Sequence, residues 1–170
     1  MGTNRRADIT MTDPEISEFL HHSRVATLAS LGPTGMPHLV AMWYAVLDGE
    51  IWFETKAKSQ KVVNLRRDNR LTALVEAGDT YDQLRGVSIE GHAEIFDDHD
   101  TVFAVCRDVW ERYTAPYTEE ARPAVEQMMA KRVAVRVVPG RVRSWDHRKL
   151  GMPAMEIGGT TAAYLASPTP

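Results

Sequence analysis

Ile51-Trp-Phe-Glu-Thr-Lys-Ala-Lys-Ser-Gln-Lys-Val-Val-Asn-Leu-Arg-Arg-Asp68 is the stretch on which the reading of this chain turns. Ile51 to Phe53 is aromatic and β-branched, the composition of a strand. Val62, Val63 and Leu65 then recur at a spacing that lets one side of a helix be buried while Arg66, Arg67 and Asp68 stay in water. Between strand and helix stand Thr55, Lys56, Lys58, Ser59 and Lys61. Hydroxyls and ammonium groups are thus gathered where a helix begins, and there unpaired N–H groups and the positive end of the helix dipole favour an anion. Lysines add point charges for phosphate, and hydroxyls add donors. The same composition also suits a solvated lysine-rich turn.

Upstream, Val25 to Leu31 reads as a strand, Gly32-Pro-Thr-Gly35 as the turn after it, and Pro37 to Val46 as a second strand. Asp48-Gly49 is a tight-hairpin signal leading into Ile51–Thr55. Downstream, Leu71 to Glu76 is a fourth strand. Val87 to Phe96 is a fifth, with Val87, Ile89, Gly91, Ala93 and Ile95 on one side. Val102, Phe103, Cys106, Val109, Trp110 and Tyr113 form an amphipathic helical stripe, which makes Cys106 a small buried hydrophobe. Thr118-Glu119-Glu120 caps a further helix with Val125, Met128 and Met129 inward. Val133–Val138 and Arg141–Trp145 are closing strands separated at Pro139-Gly140.

The ends are different in character. Residues 1–11 read as a loose polar arm, followed by a short helix begun by Thr12-Asp-Pro-Glu15 with Ile16, Phe19 and Leu20 on its apolar side. Adjacent His21 and His22 cannot share a helix face, so no metal site is expected there. Residues 12–150 form one domain. From Gly151 to Pro170 the chain is rich in Gly, Ala, Thr and Pro and reads as a flexible tail. Six or seven mostly sequential strands with few helices predict a mainly β fold with flanking helices, a closed or nearly closed antiparallel barrel whose open edge is covered by helix.

Composition narrows the function. The formal net charge is −3 over 170 residues, which argues against a general nucleic-acid binder. Cys106 is the only cysteine, so an intrachain disulfide and a multi-cysteine metal centre are excluded, and a reducing cytoplasm is the expected setting. No apolar run has the length of a membrane span, and the first residues lack the apolar core of a signal peptide. Gly-x-Ser-x-Gly, His-Glu-x-x-His and Walker patterns are missing, and no spacing of carboxylates suggests a catalytic pair. No side chain is therefore assigned as catalytic. His147, between Asp146 and Arg148, is either a structural hydrogen bonder or a titrating group near a site. The residues best explained by chemistry are those of a phosphate-ready turn, and a cofactor with a phosphate tail would account for them.

Phe53-Glu-Thr-Lys-Ala-Lys-Ser-Gln-Lys-Val-Val-Asn-Leu65 resembles the phosphate-binding segment of the pyridoxamine-phosphate-oxidase-like split β-barrel family, in which a strand ends in Thr and a helix opens with Ser-x-Lys. Thr55, Ser59 and Lys61 stand at those positions. The extended run, Lys56 through Asn64-Leu-Arg-Arg-Asp68 and Arg70, is more similar to the flavin/deazaflavin oxidoreductases of the B group, many of which use coenzyme F420. Thr27 to His38 resembles the family's opening hairpin, and Arg143-Ser-Trp-Asp-His-Arg148 its closing strand.

The resemblance implies an FMN-binding-type split barrel, a homodimer with two cofactor sites at its interface, and F420 as cofactor with FMN as the alternative. It implies that Thr55, Lys56, Lys58, Ser59 and Lys61 hold the phosphate and that Met42, Trp43 and Tyr44 lie along the ring system. Trp145, with His147 or Arg148, would arrive from the other subunit. Alternation along a strand turns one of Trp43 and Tyr44 inward, and Trp145 could equally be an interface anchor. Gln60 stands where classical FMN oxidases of the family often have Arg, and losing that fork weakens the FMN case. The implied activity is hydride transfer between reduced F420 and a small electron-poor organic acceptor. The alternatives are an FMN oxidoreductase of the same fold and a non-catalytic protein that stores F420.

Overall fold

The computed structural model describes residues 6–165; the outermost parts of the expected arm and tail, 1–5 and 166–170, lie outside the described residues. Among the described residues there are seven strands: β1 Ala26–Leu31, β2 Pro37–Met42, β3 Ala45–Leu47, β4 Glu50–Lys56, β5 Arg70–Ala77, β6 Arg85–Phe96 and β7 Arg132–Asp146. With them go α1 Asp13–His22, α2 Gln60–Arg67, α3 His99–Tyr113, α4 Arg122–Met129 and a short α5 Ala162–Leu165. None of these helices is long and apolar enough to cross a membrane.

The strands form one antiparallel sheet in the order β2-β1-β5-β6-β7-β4-β3. Its edges, β2 and β3, are consecutive in the chain and separated only by Trp43 and Tyr44. Three Cα steps span at most ~11 Å, so the sheet must curl until its edges nearly meet. The expected split barrel follows from that connection. The expected single strand Pro37–Val46 is therefore two strands on opposite edges, because one straight segment cannot pair at both. Asp48 (φ 53°) and Gly49 (φ 79°) make the tight β3–β4 turn.

The closing segment is also revised. The expected break at Pro139-Gly140 is a bulge within one continuous β7: Glu90 pairs with Arg141 and Gly91 with Pro139, leaving Gly140 as the extra residue. Gly91 is required there, since a Cβ would stand 2.0 Å from the Val138 carbonyl oxygen.

Inside the barrel Leu28, Ile51, Phe53, Leu65, Val75, Val87, Val133 and Val135 are almost fully buried. Each such side chain contributes roughly 1.5–3 kcal/mol. A second apolar layer joins α3 and α4 to the outer face of β3, β4 and β7 through Ala45, Val105, Cys106, Val109, Val125 and Ala134. Met128 and Met129 flank this layer as expected. Thr118 makes no cap bond. A 3-10 turn, Glu119–Ala121, intervenes before α4, which starts with Pro123 in its first turn.

In α2, Val62 and Leu65 face the core, but Val63 is 48% exposed. Residue 63 lies about 100° round the helix from Val62, and the buried third position is Asn64. Asn64 is satisfied there, accepting from Gln60 Nε2 at 2.8 Å and donating to Ser30 Oγ at 3.2 Å.

The N-terminal arm is not loose over its described part. The Asp146 N–H donates to the Ile9 carbonyl (2.7 Å), and the Met11 N–H donates to Ser144 Oγ (3.0 Å). Lys149 Nζ reaches both the Thr10 carbonyl (2.8 Å) and Glu15 (2.7 Å). These bonds strap residues 9–11 onto the end of β7. Glu15 also accepts from the Thr12 N–H, and its bond to Lys149 leads the lowering of its carboxyl to about 2.

Candidate functional site

Thr55 is the last buried residue of β4, and the chain turns directly from it into α2. Lys61, in the first turn, bends back so that Nζ donates to Thr55 Oγ1 at 3.1 Å, with Ser59 Oγ 3.4 Å from the same oxygen. Ser59 occupies the N-cap position without making a cap bond, and the first turn holds no acidic residue. Its amides are thus left without a side-chain acceptor. Burial lowers the Lys61 pKa, with Glu54 opposing and Arg132 assisting that shift. Glu54 is itself raised by burial and is committed to an ion pair with Arg132. A partly desolvated ammonium, two hydroxyls and a helix N-terminus therefore converge with no carboxylate of their own to neutralise them. That donor set fits the phosphate of a flavin-type cofactor.

Lys56 and Lys58 are exposed on the turn. In the wider basic surround, Arg67 donates to the Leu31 carbonyl and Arg70 is paired with Asp68 at 2.6 Å, whereas Arg66 is exposed. Gln60 gives its amide to Asn64.

Met42, Trp43 and Tyr44 go three different ways. Met42 is half-buried against the barrel core. Trp43 is 54% exposed, with one face stacked on Tyr113 (centroids 4.5 Å, planes 5° apart). Arg24 lies over the Tyr113 ring at 5.0 Å. Tyr44 is fully buried, and its hydroxyl donates to the Leu20 carbonyl at 2.6 Å. Burial raises its pKa to about 12. The expectation that the Tyr44 side chain lies along a cofactor ring is corrected: it is the inward member of the pair and part of the core. Tyr113, the support of Trp43, was legible only as one member of the α3 stripe.

Trp145 lies against Gly86, its cross-strand partner, where a Cβ would come 2.4 Å from the indole Cζ2. It stands at the opposite end of β7 from the residue that pairs with Thr55. Thr55 pairs with Val133 near the start of β7, and Trp145 is twelve residues further along that strand. At ~3.3 Å per residue this is about 40 Å of strand. Beside Trp145, His147 Nδ1 is 2.9 Å from the Tyr81 carbonyl and the two rings are in contact. Arg148 is paired with Asp146 at 2.6 Å, so its guanidinium is held on its own chain.

The sequence profile of the pyridoxamine 5'-phosphate oxidase family matches residues 12–146. Among solved structures, a conserved hypothetical protein from Mycobacterium tuberculosis is 63% identical, with a TM-score of 0.91 over 94% of this chain and 99% of that one. An F420 reductase is 30% identical, with a TM-score of 0.58 over 74% of this chain and 94% of its own. A heme-binding protein from Mycobacterium smegmatis, 17% identical with a TM-score of 0.59 over 83% of this chain and 60% of that one, shares the fold. No curated protein matches the chain in sequence.

Proposed function

The chain belongs to the pyridoxamine 5'-phosphate oxidase family, and on that footing we propose that it is an F420-dependent oxidoreductase. Hydride would pass between the reduced deazaflavin and a small, electron-poor organic acceptor. The observation that carries this reading is the convergence of Lys61, Thr55 and Ser59 on the N-terminus of α2. Likeness to an F420 reductase supports the choice of cofactor within the B group.

In this reading Thr55, Ser59 and Lys61 hold the phosphate, and Lys56 and Lys58 face the acidic tail beyond it. The open face of Trp43 receives the ring system, with Met42 beside it. F420 supplies the hydride chemistry when bound, and the protein's own groups orient it and exclude water. Trp145 reaches the site from a second copy of the chain. The position of Trp145 at the opposite end of β7 from Val133 supports that assignment. Exposed Leu39 on the outer face of β2 is in keeping with a homodimer. The single buried cysteine, Cys106, is in keeping with a reducing cytoplasm.

The test is titration of the apo-protein with F420 and with FMN, followed by tryptophan fluorescence. Micromolar or tighter F420 binding, lost in Lys61→Ala and with FMN much weaker, is the expected result. Preference for FMN transfers the site to that cofactor, and tight F420 binding without turnover across an acceptor panel makes the protein a store. Binding of neither removes the proposal.

A further inference from the structure

Trp43 has a backbone fixed on both sides and a side chain held by one neighbour. Met42 and Tyr44 turn inward to the barrel core, so the indole is carried outward at the two-residue corner between β2 and β3. There it stacks on Tyr113, with centroids 4.5 Å apart and planes 5° from parallel. Among the described residues this is its one ring contact, and more than half of Trp43 stays exposed.

Tyr113 is anchored far more firmly. It is the last residue of α3, and its hydroxyl accepts from the Tyr44 N–H at 3.1 Å. The hydroxyl's own proton is within reach of the Arg24 carbonyl (2.9 Å) and the Tyr44 carbonyl (3.0 Å). Either bond ties the ring to backbone beside the corner, Arg24 on the segment entering β1 and Tyr44 in the corner itself. The guanidinium groups of Arg24 and Arg112 also lie against the ring, 5.0 and 5.7 Å from its centroid.

We infer that Tyr113 is a positioning residue of the proposed cofactor site: by holding the Trp43 indole in one plane it preforms a shelf for a flat, electron-poor ring, without touching that ring itself. An indole at an exposed corner with no such backing turns about its side-chain bonds. A ligand that stacks on it must first stop that motion, at a cost to affinity that a preset surface does not incur. The inference rests on the reading above, since the ring on the shelf is the cofactor's.

The first part of the test needs no cofactor. The near-ultraviolet circular dichroism of Trp43, taken in each background as the difference made by Trp43→Phe, should be lost in Tyr113→Leu and kept in Tyr113→Phe. The second part is calorimetric titration with F420 and with inorganic phosphate, which has no ring. Tyr113→Leu should weaken F420 about three- to ten-fold and leave phosphate within about two-fold of wild type. A role confined to stability would lower the urea midpoint and weaken both ligands alike. In a Trp43→Leu background, Tyr113→Leu should have no further effect on F420, because the residue it acts through is gone. Tyr113→Phe retains the stacking ring and should bind F420 within about two-fold of wild type, a result that decides the matter even where Tyr113→Leu does not fold. A Trp43 signal that survives in Tyr113→Leu, an unchanged F420 affinity there, an equal loss in the Trp43→Leu background, or lost binding in Tyr113→Phe overturns the inference and leaves the cofactor reading intact. Wild-type protein that binds no F420 removes that reading, and the inference with it.

Discussion

Lys61 Nζ donates to Thr55 Oγ1 at 3.1 Å, tying the first turn of α2 to the last buried residue of β4. Thr55→Val keeps the shape and removes the oxygen. Loss of one hydrogen bond to a charged group is worth about 1.5–3 kcal/mol. We expect F420 or inorganic phosphate to bind roughly ten-fold or more weakly. Isothermal calorimetry on the variant checks both ligands. Unchanged affinity would remove Thr55 from the anion site.

The lowered pKa of Lys61 sets a pH dependence. Burial shifts it below the ordinary 10.5, so the unfolded chain holds more protons than the folded one between the lowered value and 10.5. As pH rises through that window the ammonium is neutralised, phosphate affinity falls, and the apo-fold gains stability. An exposed lysine would lose its charge only near 10.5. Phosphate titrations at rising pH should show affinity declining before that point in the wild type but not in Lys61→Arg.

Arg112 on α3 donates to the carbonyls of Leu20 (3.3 Å), His21 (3.0 Å) and Ser23 (2.9 Å), and its Nε donates to that of Tyr44 (3.0 Å). One guanidinium thus closes the C-terminus of α1 and holds the corner between the sheet's edges. Arg112→Met removes four donor contacts at once, leaving the Leu20 and Ser23 carbonyls to share the Tyr44 hydroxyl and the Tyr44 carbonyl to the Tyr113 hydroxyl, and should cost about 2–4 kcal/mol. Arg112→Lys should recover only part of it, since an ammonium lacks the planar fork. Urea denaturation of both variants distinguishes this from a minor surface contact.

Gly86 leaves room for Trp145, and Gly86→Ala would push the indole out. A forced displacement of this kind typically costs 1–3 kcal/mol. The expected signature is a shifted Trp145 emission, identified by its absence in Trp145→Phe. An unchanged spectrum would mean that the indole does not rest on Gly86 in solution.

Burial pushes the Cys106 thiol up to about 12. Native protein should therefore react negligibly with a thiol reagent at neutral pH, and one thiol per chain should appear on unfolding in guanidinium. Fast native labelling would show that α3 opens readily.

The strands were legible because their apolar positions alternate, and the anion-binding turn because hydroxyls and lysines crowd one helix start. The corner at Trp43-Tyr44 was not, since Ala41 to Val46 is as strand-like in composition as its flanks; only the pairing of β2 and β3 at opposite edges reveals it. Local periodicity also misplaced Val63, because Asn64 is buried through Ser30, a partner 34 residues away that no window of sequence displays. Within the site, Lys61, Thr55 and Ser59 were readable as neighbours along the chain. Tyr113 beneath Trp43 and the Tyr81 carbonyl at His147 were not, since each is a meeting of distant segments.

At the split in the barrel, the Val46 N–H donates to Asp108 Oδ2 (3.0 Å), the Tyr44 N–H donates to the Tyr113 hydroxyl (3.1 Å), and the Tyr44 carbonyl is taken by Arg112. Side chains of α3 thus occupy hydrogen-bonding groups that another strand would need in order to add to β3. The far side of β2 carries no such cover among the described residues. Runaway sheet extension from molecule to molecule requires a free edge at each end of the repeating unit. With one end stoppered, edge-to-edge association can proceed only β2 against β2, which consumes both free edges at once and halts at two molecules instead of growing into a fibre.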